Sequence, residues 1–275
     1  MRLAFFYLAF IAFLGPVAIG RIDSAAAFFA VLGLVQVYRN RIRAGMVFFT
    51  LGAWIKIWPI AAALALFSST KAKLKSIFGV VATLVVILLT GFALGANQNL
   101  FSFVTMQGSR GLQVESVAAT FWVWAAKFGL PGAGIYFDNQ LVTNQVSGAF
   151  SAETAILLGL AMVVAIGITA WLGFRAFRAA ADSKHLFVAV FLTAALDLIV
   201  FNKVGSPQFE VWLAIPLMAG ILLNLPNWKL PLALGVAIAL LTNLLYPVFY
   251  MDLMGLGWLG IAILTVRNVA LVALL

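Results

Sequence analysis

The sequence predicts an all-α, polytopic membrane protein, and two observations support that prediction. Apolar runs recur along the whole chain of 275 residues, which is 65% hydrophobic and 9% charged, with a mean hydropathy of +1.13. This apolar content exceeds what one soluble core would need. Segments of ten residues with alternating polarity are absent from the sequence, so helices rather than a barrel must satisfy the backbone. We expect a single integral-membrane domain over residues 1–275.

The apolar runs predict about eight transmembrane helices, each judged against the roughly 20 residues that a helix needs to cross a membrane. The predicted spans are about 3–19, 24–38, 76–95, 153–173, 186–201, 209–223, 230–249 and 256–273. The first run follows Met1-Arg2 directly, and no small-residue cleavage site follows it. It is interpreted as a retained first helix or signal anchor. Several spans are short, which indicates a cavity or a thinned edge.

Residues 44–67 are predicted to form a broken, re-entrant hairpin. Lys56 lies in the middle of this apolar segment and Pro59 follows three residues later. One straight crossing would separate the cluster Arg39–Arg43 from the cluster Lys71–Lys75, which the positive-inside rule disfavours. A hairpin keeps both clusters in the cytoplasm and brings residues 56–59 toward the opposite face.

This topology places most cations in the cytoplasm and most carboxylates outside. The predicted cytoplasmic cations are Arg2, Arg39, Arg41, Arg43, Lys71, Lys73, Lys75, Arg175, Arg178, Lys184, Lys229 and Arg267. The outer cations are Arg21, Lys56, Arg110, Lys127 and Lys203. The aromatic, moderately polar segment 96–152 is predicted to form interfacial helices on the outer face, roofing a cavity.

The composition also limits the chemistry. The absence of Cys excludes disulfides and thiolate nucleophiles, and the presence of one His argues against a zinc cluster. Carboxylates occur without the spacing of a metal site, so no metal and no cofactor is predicted. The net charge is +9, and most of the cations fall on the predicted cytoplasmic side. We therefore interpret the charge as a topology signal and not as a nucleic-acid-binding signal.

Two short polar stretches, residues 109–116 and 202–208, stand out in the apolar chain. A charge near hydrocarbon costs roughly 2.5–3.5 kcal/mol, so each outer cation needs a partner. The phosphate of a lipid-linked substrate would serve. Pairing within the protein, such as Arg110 with Glu115 or Lys203 with Glu210, is the alternative.

Structural roles compete with functional ones at three further positions. Ser206 fits the N-cap of a helix that starts near Phe209, which also creates a helix N-terminus able to receive an anion. Asp23 fits either a cap of the helix at 24–38 or a polar wall of the site. Asp197 lies inside an apolar span and is either functional or a partner of Lys203.

Several motifs occur in the order of a known family: Gly-Arg-Ile-Asp at 20–23, Lys-Ile-Trp-Pro at 56–59, Arg-Gly-Leu-Gln-Val-Glu-Ser at 110–116, and Ser-Pro-Gln-Phe at 206–209 followed by Trp212 and Pro216. Over about residues 10–250 the chain resembles the bacterial GT-C type integral-membrane glycosyltransferases, specifically the polyprenol-phosphate-mannose-dependent α-mannosyltransferases of actinobacterial envelopes. The resemblance implies a multi-pass enzyme of the bacterial plasma membrane, active on the extracytoplasmic face. Its implied partners are a polyprenyl-phosphate-linked sugar donor, a lipid or glycan acceptor and membrane lipids, without nucleic acid.

The resemblance also implies roles for the outer polar residues. Arg110, Lys203, Lys56 and Arg21 would bind the donor phosphate; Gln113, Ser206 and Gln208 would bind the sugar or the acceptor; Asp23 and Glu115 are the candidate bases. Family members carry a catalytic carboxylate in a large first outer loop, whereas the first outer turn here is only Gly20–Asp23. We therefore expect a truncated or split member, or a base supplied by Asp23 or Glu115.

Two other classes compete with the glycosyltransferase. A transporter or lipid flippase would also use broken helices and intramembrane charge. Transporters, however, tend to place their site near the midplane between repeated halves, and no internal repeat is visible here. The third class, a non-catalytic subunit of an envelope-glycan assembly, is favoured if the first-loop carboxylate is missing.

Overall fold

The computed structural model describes residues 2–101 and 110–275, and these are mostly helical. The helices are α1 (Arg2–Leu14), α2 (Asp23–Tyr38), α3 (Ile42–Ile55), α4 (Ile60–Ser69), α5 (Lys73–Ala93), α6 (Thr120–Lys127), α7 (Ser151–Arg178), α8 (Ser183–Val200), α9 (Val211–Leu222), α10 (Lys229–Asn243), α11 (Tyr250–Met254) and α12 (Trp258–Leu274). Short 3-10 turns cover Gly15–Ala18, Asn97–Phe101 and Pro207–Glu210, and a π turn over Leu244–Val248 continues α10. Ser109, the first residue of one polar stretch, lies outside the described residues.

Four helical segments in the described ranges are long and apolar enough to cross a membrane. They are Lys73–Ala93, Ser151–Arg178, Ser183–Val200 and Lys229–Val248. The other apolar helices near the predicted spans have 10 to 17 residues, counting their adjoining turns. The structure is therefore compatible with a helical membrane protein, and the helix lengths in the described ranges do not confirm the predicted count of about eight spans.

Helices α8 and α9 form the centre of the bundle. Every residue of α9 from Val211 to Gly220 is buried, as expected for a helix that is hydrophobic on all sides. Helix α8 packs against α4, α7 and α9. Helices α5 and α7 lie at the periphery and expose most of their apolar side chains. An apolar surface of this kind suits contact with lipid.

The predicted break in residues 44–67 is confirmed. Helix α3 ends at Ile55, Lys56 adopts an extended conformation, and Pro59 precedes the first residue of α4. Proline fixes its own backbone and disfavours helix at the preceding residue, so it favours a break here. Gly52 leaves room for the Pro59 ring, which would lie 3.1 Å from a Cβ at that position.

Both basic clusters lie at one end of the bundle, which we call the basic end. The Arg43 guanidinium lies 4.0 Å from the centroid of the Phe78 ring in α5. The Lys73 ammonium lies 5.1 Å from the Phe177 ring at the end of α7. Lys184, at the start of α8, lies 5.6 Å from the Tyr38 ring. The contacts agree with the hairpin that the charge distribution predicted.

The all-α prediction needs one correction, because the segment 96–152 contains a β-hairpin. Strands β1 (Gly134–Asp138) and β2 (Thr143–Ser147) pair antiparallel. The Asp138 carboxylate accepts hydrogen bonds from the backbone N–H groups of Gln140 and Leu141 and so stabilises the turn. Of the interfacial helices predicted for this segment, the described residues contain the α-helix α6 and a short 3-10 turn.

Candidate functional site

The two polar stretches meet directly. The backbone N–H of Gln113 donates to the carbonyl of Lys203 over 2.9 Å. Gly205 lies so close to the backbone of Glu115 and Ser116 that a Cβ at this position would collide with it. The two loops therefore approach each other through their main chains, and Gly205 permits that approach. We call the region around residues 20–23, 56–59, 110–116 and 202–210 the polar end.

Strand β2 holds the other edge of residues 112–114. Val114 donates its N–H to Asn144 over 3.1 Å, and Val146 donates to Leu112 over 2.9 Å. Gln113 and Gln145 form an antiparallel bridge. The backbone hydrogen bonds of the hairpin thus hold the loop that carries Arg110, Gln113 and Glu115 in place.

Arg110 and Lys203 lie close enough for one charge to act on the other. Burial lowers the pKa of the Lys203 ammonium, and the positive charge of Arg110 lowers it further. The Nε atom of Arg110 is buried and makes no hydrogen bond to the described residues. The predicted phosphate contacts from different loops are therefore neighbours.

Asp23 and Lys56 form the second part of the site. Asp23 is 1% exposed, and its Oδ2 lies 3.7 Å from the Lys56 ammonium. Its Oδ1 accepts a hydrogen bond of 2.8 Å from the Trp212 indole. Phe209 stacks on Trp212 with 4.3 Å between ring centroids. Asp23 is the first residue of α2, and its carboxylate contacts Lys56 and Trp212, which supports its predicted role as a wall of the site.

Arg267 lies at the polar end, where the predicted topology did not place it. The prediction put it in the cytoplasm, but it is 1% exposed at the polar end. Its Nη1 lies 3.6 Å from Glu210 Oε1, and its Nη2 donates to the Glu115 carbonyl. The following residue, Asn268, donates to the carbonyl of Ser116 and to the hydroxyl of Thr120.

The position of α12 explains that error. Trp258, at the start of the helix, packs against Trp124 and Phe128 of the roof segment. Nine residues of helix, about 13 Å, then lead to Arg267. The prediction assumed that α12 crosses the membrane from Trp258 onward, but the helix reaches the level of Glu115 only at Arg267.

Glu115 supplies the carboxylate of the loop 110–116, and its side chain is buried. It is 3% exposed, and burial raises the pKa of its carboxyl above the ordinary value, although the positive charge of Arg267 acts in the opposite direction. Tyr250 adjoins it: burial, and then the Glu115 charge, raise the pKa of the phenol. The Tyr250 hydroxyl also accepts a hydrogen bond of 2.9 Å from Asn144.

Buried polar atoms without a hydrogen-bond partner concentrate at the polar end. Within residues 2–101 and 110–275 they are Asp23 Oδ2, Trp58 Nε1, Arg110 Nε, Gln113 Oε1, Glu115 Oε2, Glu210 Oε2 and Arg267 Nη1. Most buried polar groups in proteins are hydrogen-bonded. A set that belongs to one end of a bundle and contains both donors and acceptors is typical of a site for a polar ligand.

The remaining predicted residues take more peripheral positions. Arg21 is exposed, and Gln208 is half-buried in the turn before α9. Ser206 occupies the predicted N-cap position, with Pro207 next, but its side chain makes no capping bond. Asp197 accepts a hydrogen bond of 2.7 Å from Thr169 of α7, rather than depending on Lys203. Across the described residues, no group of three His, Cys, Asp or Glu side chains could hold a metal ion.

The site combines three chemical capabilities. Adjacent cations at 110 and 203 can hold an anion. Unpaired carboxylate and amide oxygens at 113, 115 and 210 can accept hydrogen bonds from hydroxyl groups. A buried carboxyl with a raised pKa binds a proton more readily than an ordinary carboxyl and can act as a base. No protein-family model, no curated protein and no solved structure matches this chain.

Proposed function

We propose that this protein is a bacterial plasma-membrane glycosyltransferase, of the GT-C type that its motifs resemble. It takes a hexose, mannose by that resemblance, from a polyprenyl-phosphate donor and transfers it to a hydroxyl of a lipid- or glycan-linked acceptor. The polar end faces the extracytoplasmic side, because the basic end carries the cytoplasmic type of charge cluster.

One observation supports the proposal: Arg110 and Lys203 lie close enough for one charge to act on the other, on two loops that pair through their main chains. Like charges at close range repel, and the repulsion strengthens where water is excluded. A phosphate bound between them would turn this repulsion into attraction, and the leaving phosphate gains negative charge during transfer. The paired main chains of the two loops keep the cations in place for that step.

The carboxylates differ in their suitability as the base. Asp23 already receives a hydrogen bond from Trp212 and faces Lys56, and these interactions hold its charge. Burial raises the pKa of both carboxyls. Because Glu115 Oε2 makes no hydrogen bond to the described residues, we assign the role of base to Glu115. In the proposed step, Glu115 takes the acceptor hydroxyl proton, the acceptor oxygen bonds to the sugar C1, and the bond between C1 and the phosphate oxygen breaks. Polyprenyl phosphate leaves with the additional negative charge, stabilised by Arg110 and Lys203.

The test uses membranes that contain the full chain and a radiolabelled polyprenyl-phosphate mannose donor. Arg110→Ala and Lys203→Ala should each reduce transfer at least a hundredfold without loss of expression, because each removes a charge from the leaving phosphate. Arg175→Ala is the matched control, since Arg175 is exposed at the basic end. Full activity in both site variants would contradict the phosphate role.

A lipid-translocating function is the second candidate, and the broken segment between α3 and α4 favours it. The break carries Lys56 against the buried Asp23, an arrangement that also suits passage of a charged headgroup. Proteoliposomes with labelled polyprenyl-phosphate mannose in one leaflet distinguish the two functions. Movement of label between leaflets without sugar transfer to any acceptor would support the flippase.

A further inference from the structure

We propose that a groove between α1 and α2 binds one anionic phospholipid, with its headgroup at the basic end. The groove has a volume of about 640 Å³ and is lined by α1, α2 and the end of α9. Its α2 wall comprises Ser24, Phe28, Val31, Val35 and Tyr38, which share one face of the helix. Met218 and Leu222 of α9 complete the lining.

The lining is apolar along a length that suits a lipid chain. Phe28 is 60% exposed although it lies in the middle of an apolar wall. From Ser24 to Tyr38 the helix rises about 21 Å, whereas one leaflet of hydrocarbon is about 15 Å thick. One acyl chain entering from the basic end can therefore lie against α2 within its own leaflet.

The charge at the groove selects the headgroup. Among the described residues that line it, Arg39 carries the charge. Arg41 and Arg43 follow in the chain, and Lys184 reaches the Tyr38 ring. The nearby carboxylate, Asp182, accepts the backbone N–H groups of Lys184 and His185. A phosphate at Arg39 would complement this cationic surface.

The headgroup end of the groove is separate from the proposed transfer site. Arg39 follows α2 at the basic end, whereas Asp23 begins α2 at the polar end beside Lys56. A donor lipid whose phosphate is bound by Arg110 and Lys203 would have its headgroup at the other end of the bundle. The inference depends on membrane residence but not on glycosyltransferase activity.

The test measures lipids bound to the full chain purified in detergent, by native mass spectrometry, with equal amounts of phosphatidylglycerol and phosphatidylcholine added. Wild type should retain one phosphatidylglycerol in preference. Arg39→Gln should lower that preference about fivefold, because a basic residue near an anionic surface contributes about 1 kcal/mol. Arg175→Gln, which removes an exposed cation at the basic end that does not line the groove, is the matched control and should leave the preference unchanged.

A second variant tests the position of the chain. Val31→Trp should fill the groove and reduce binding of both lipids to the background seen with detergent alone, with an unchanged circular dichroism spectrum. Lipid binding that survives Val31→Trp, or an equal loss of the phosphatidylglycerol preference in Arg39→Gln and Arg175→Gln, would overturn the proposal. So would a lipid-free dimer that Val31→Trp converts to a monomer, since a second copy would then occupy the groove.

Discussion

The polar end and the basic end of the bundle both carry charged side chains, but they stabilise them differently. At the basic end, Arg43, Lys73 and Lys184 lie over aromatic rings. At the polar end, Asp23, Glu115, Glu210 and Arg267 are buried against one another and against backbone carbonyls. Exposed charge costs little and needs no binding role, whereas buried charge is stable only with well-placed partners. The difference favours the polar end as the candidate functional site.

The largest expected difference concerns the buried and exposed arginines. Arg267→Met should destabilise the fold by about 3–5 kcal/mol, because Glu210 and the Glu115 carbonyl lose their buried partner. Arg175→Met removes an exposed guanidinium that lies over Trp171 and should cost less than about 1 kcal/mol. Denaturant unfolding in detergent, followed by circular dichroism, measures both. Equal losses would remove the distinction between the two ends.

The next effect tests the approach of the two loops. Gly205→Ala places a methyl group against the backbone of Glu115 and Ser116 and should cost about 1–3 kcal/mol through overpacking. It should also reduce sugar transfer, because Arg110 and Lys203 move apart.

The matched control for that variant is Gly159→Ala in α7. Open space surrounds a Cβ at this helical position, so the substitution should be neutral or stabilise the helix by up to about 1 kcal/mol. Thermal unfolding and the transfer assay measure both variants. A Gly205→Ala protein that matches wild type in both would show that the loops are not in close contact.

A smaller difference in stability is expected between variants that each lose one indole hydrogen bond. Trp212→Phe removes a donor to the Asp23 carboxylate and should cost about 1.5–3 kcal/mol, because the acceptor is charged. Trp228→Phe removes a donor to the Leu217 carbonyl near the basic end and should cost about 0.5–1.5 kcal/mol. Denaturant unfolding measures the loss of stability in each variant. A larger loss in Trp228→Phe than in Trp212→Phe would argue against an ionised Asp23.

The smallest expected effect is on the pH dependence of stability. The contribution of a carboxyl at the polar end should decrease as pH rises, whereas that of a carboxyl at the basic end should decrease as pH falls. Burial raises the pKa of Glu115, so the folded protein favours the protonated carboxyl, and its contribution to stability declines as pH rises above 4.5. The backbone N–H of His185 lowers the pKa of Asp182, whose contribution is present above 3.8 and is lost as pH falls through the lowered value.

Stability curves of Glu115→Gln and Asp182→Asn against wild type measure that difference. As pH rises, the free energy of unfolding of wild type should fall relative to that of Glu115→Gln. As pH falls, the free energy of unfolding of wild type should fall relative to that of Asp182→Asn. Parallel curves for wild type and Glu115→Gln would mean that this carboxyl titrates alike in the folded and unfolded chains.

Local composition and charge were sufficient to predict part of the arrangement. Pro59 and the two basic clusters predicted the break after α3, and the break brings Lys56 to Asp23. The polar stretches were predicted to share one face because each lies at the end of an apolar run. These inferences depend on neighbours in the chain and on one rule about charge distribution.

The rest depends on contacts between distant segments. Arg267 and Glu115 are 152 residues apart in the chain, and nothing near Arg267 indicates which helix level it reaches. The bond from Thr169 to Asp197 likewise requires knowledge of how α7 packs on α8. The strand Gly134–Asp138 and its partner are only five residues long, and the aromatic residues of this segment were attributed to interfacial helices, so their hairpin was missed.

The loop of residues 112–116 is held almost entirely through backbone atoms. Its partners are the Lys203 carbonyl, the main chain of β2 and the side chains of Arg267 and Asn268, which bind loop carbonyls. Side chains at Arg110 and Gln113 can therefore be exchanged without dismantling the loop. This makes the loop a suitable frame for engineering, in which a small library at these two positions would explore new ligand preferences on an unchanged backbone.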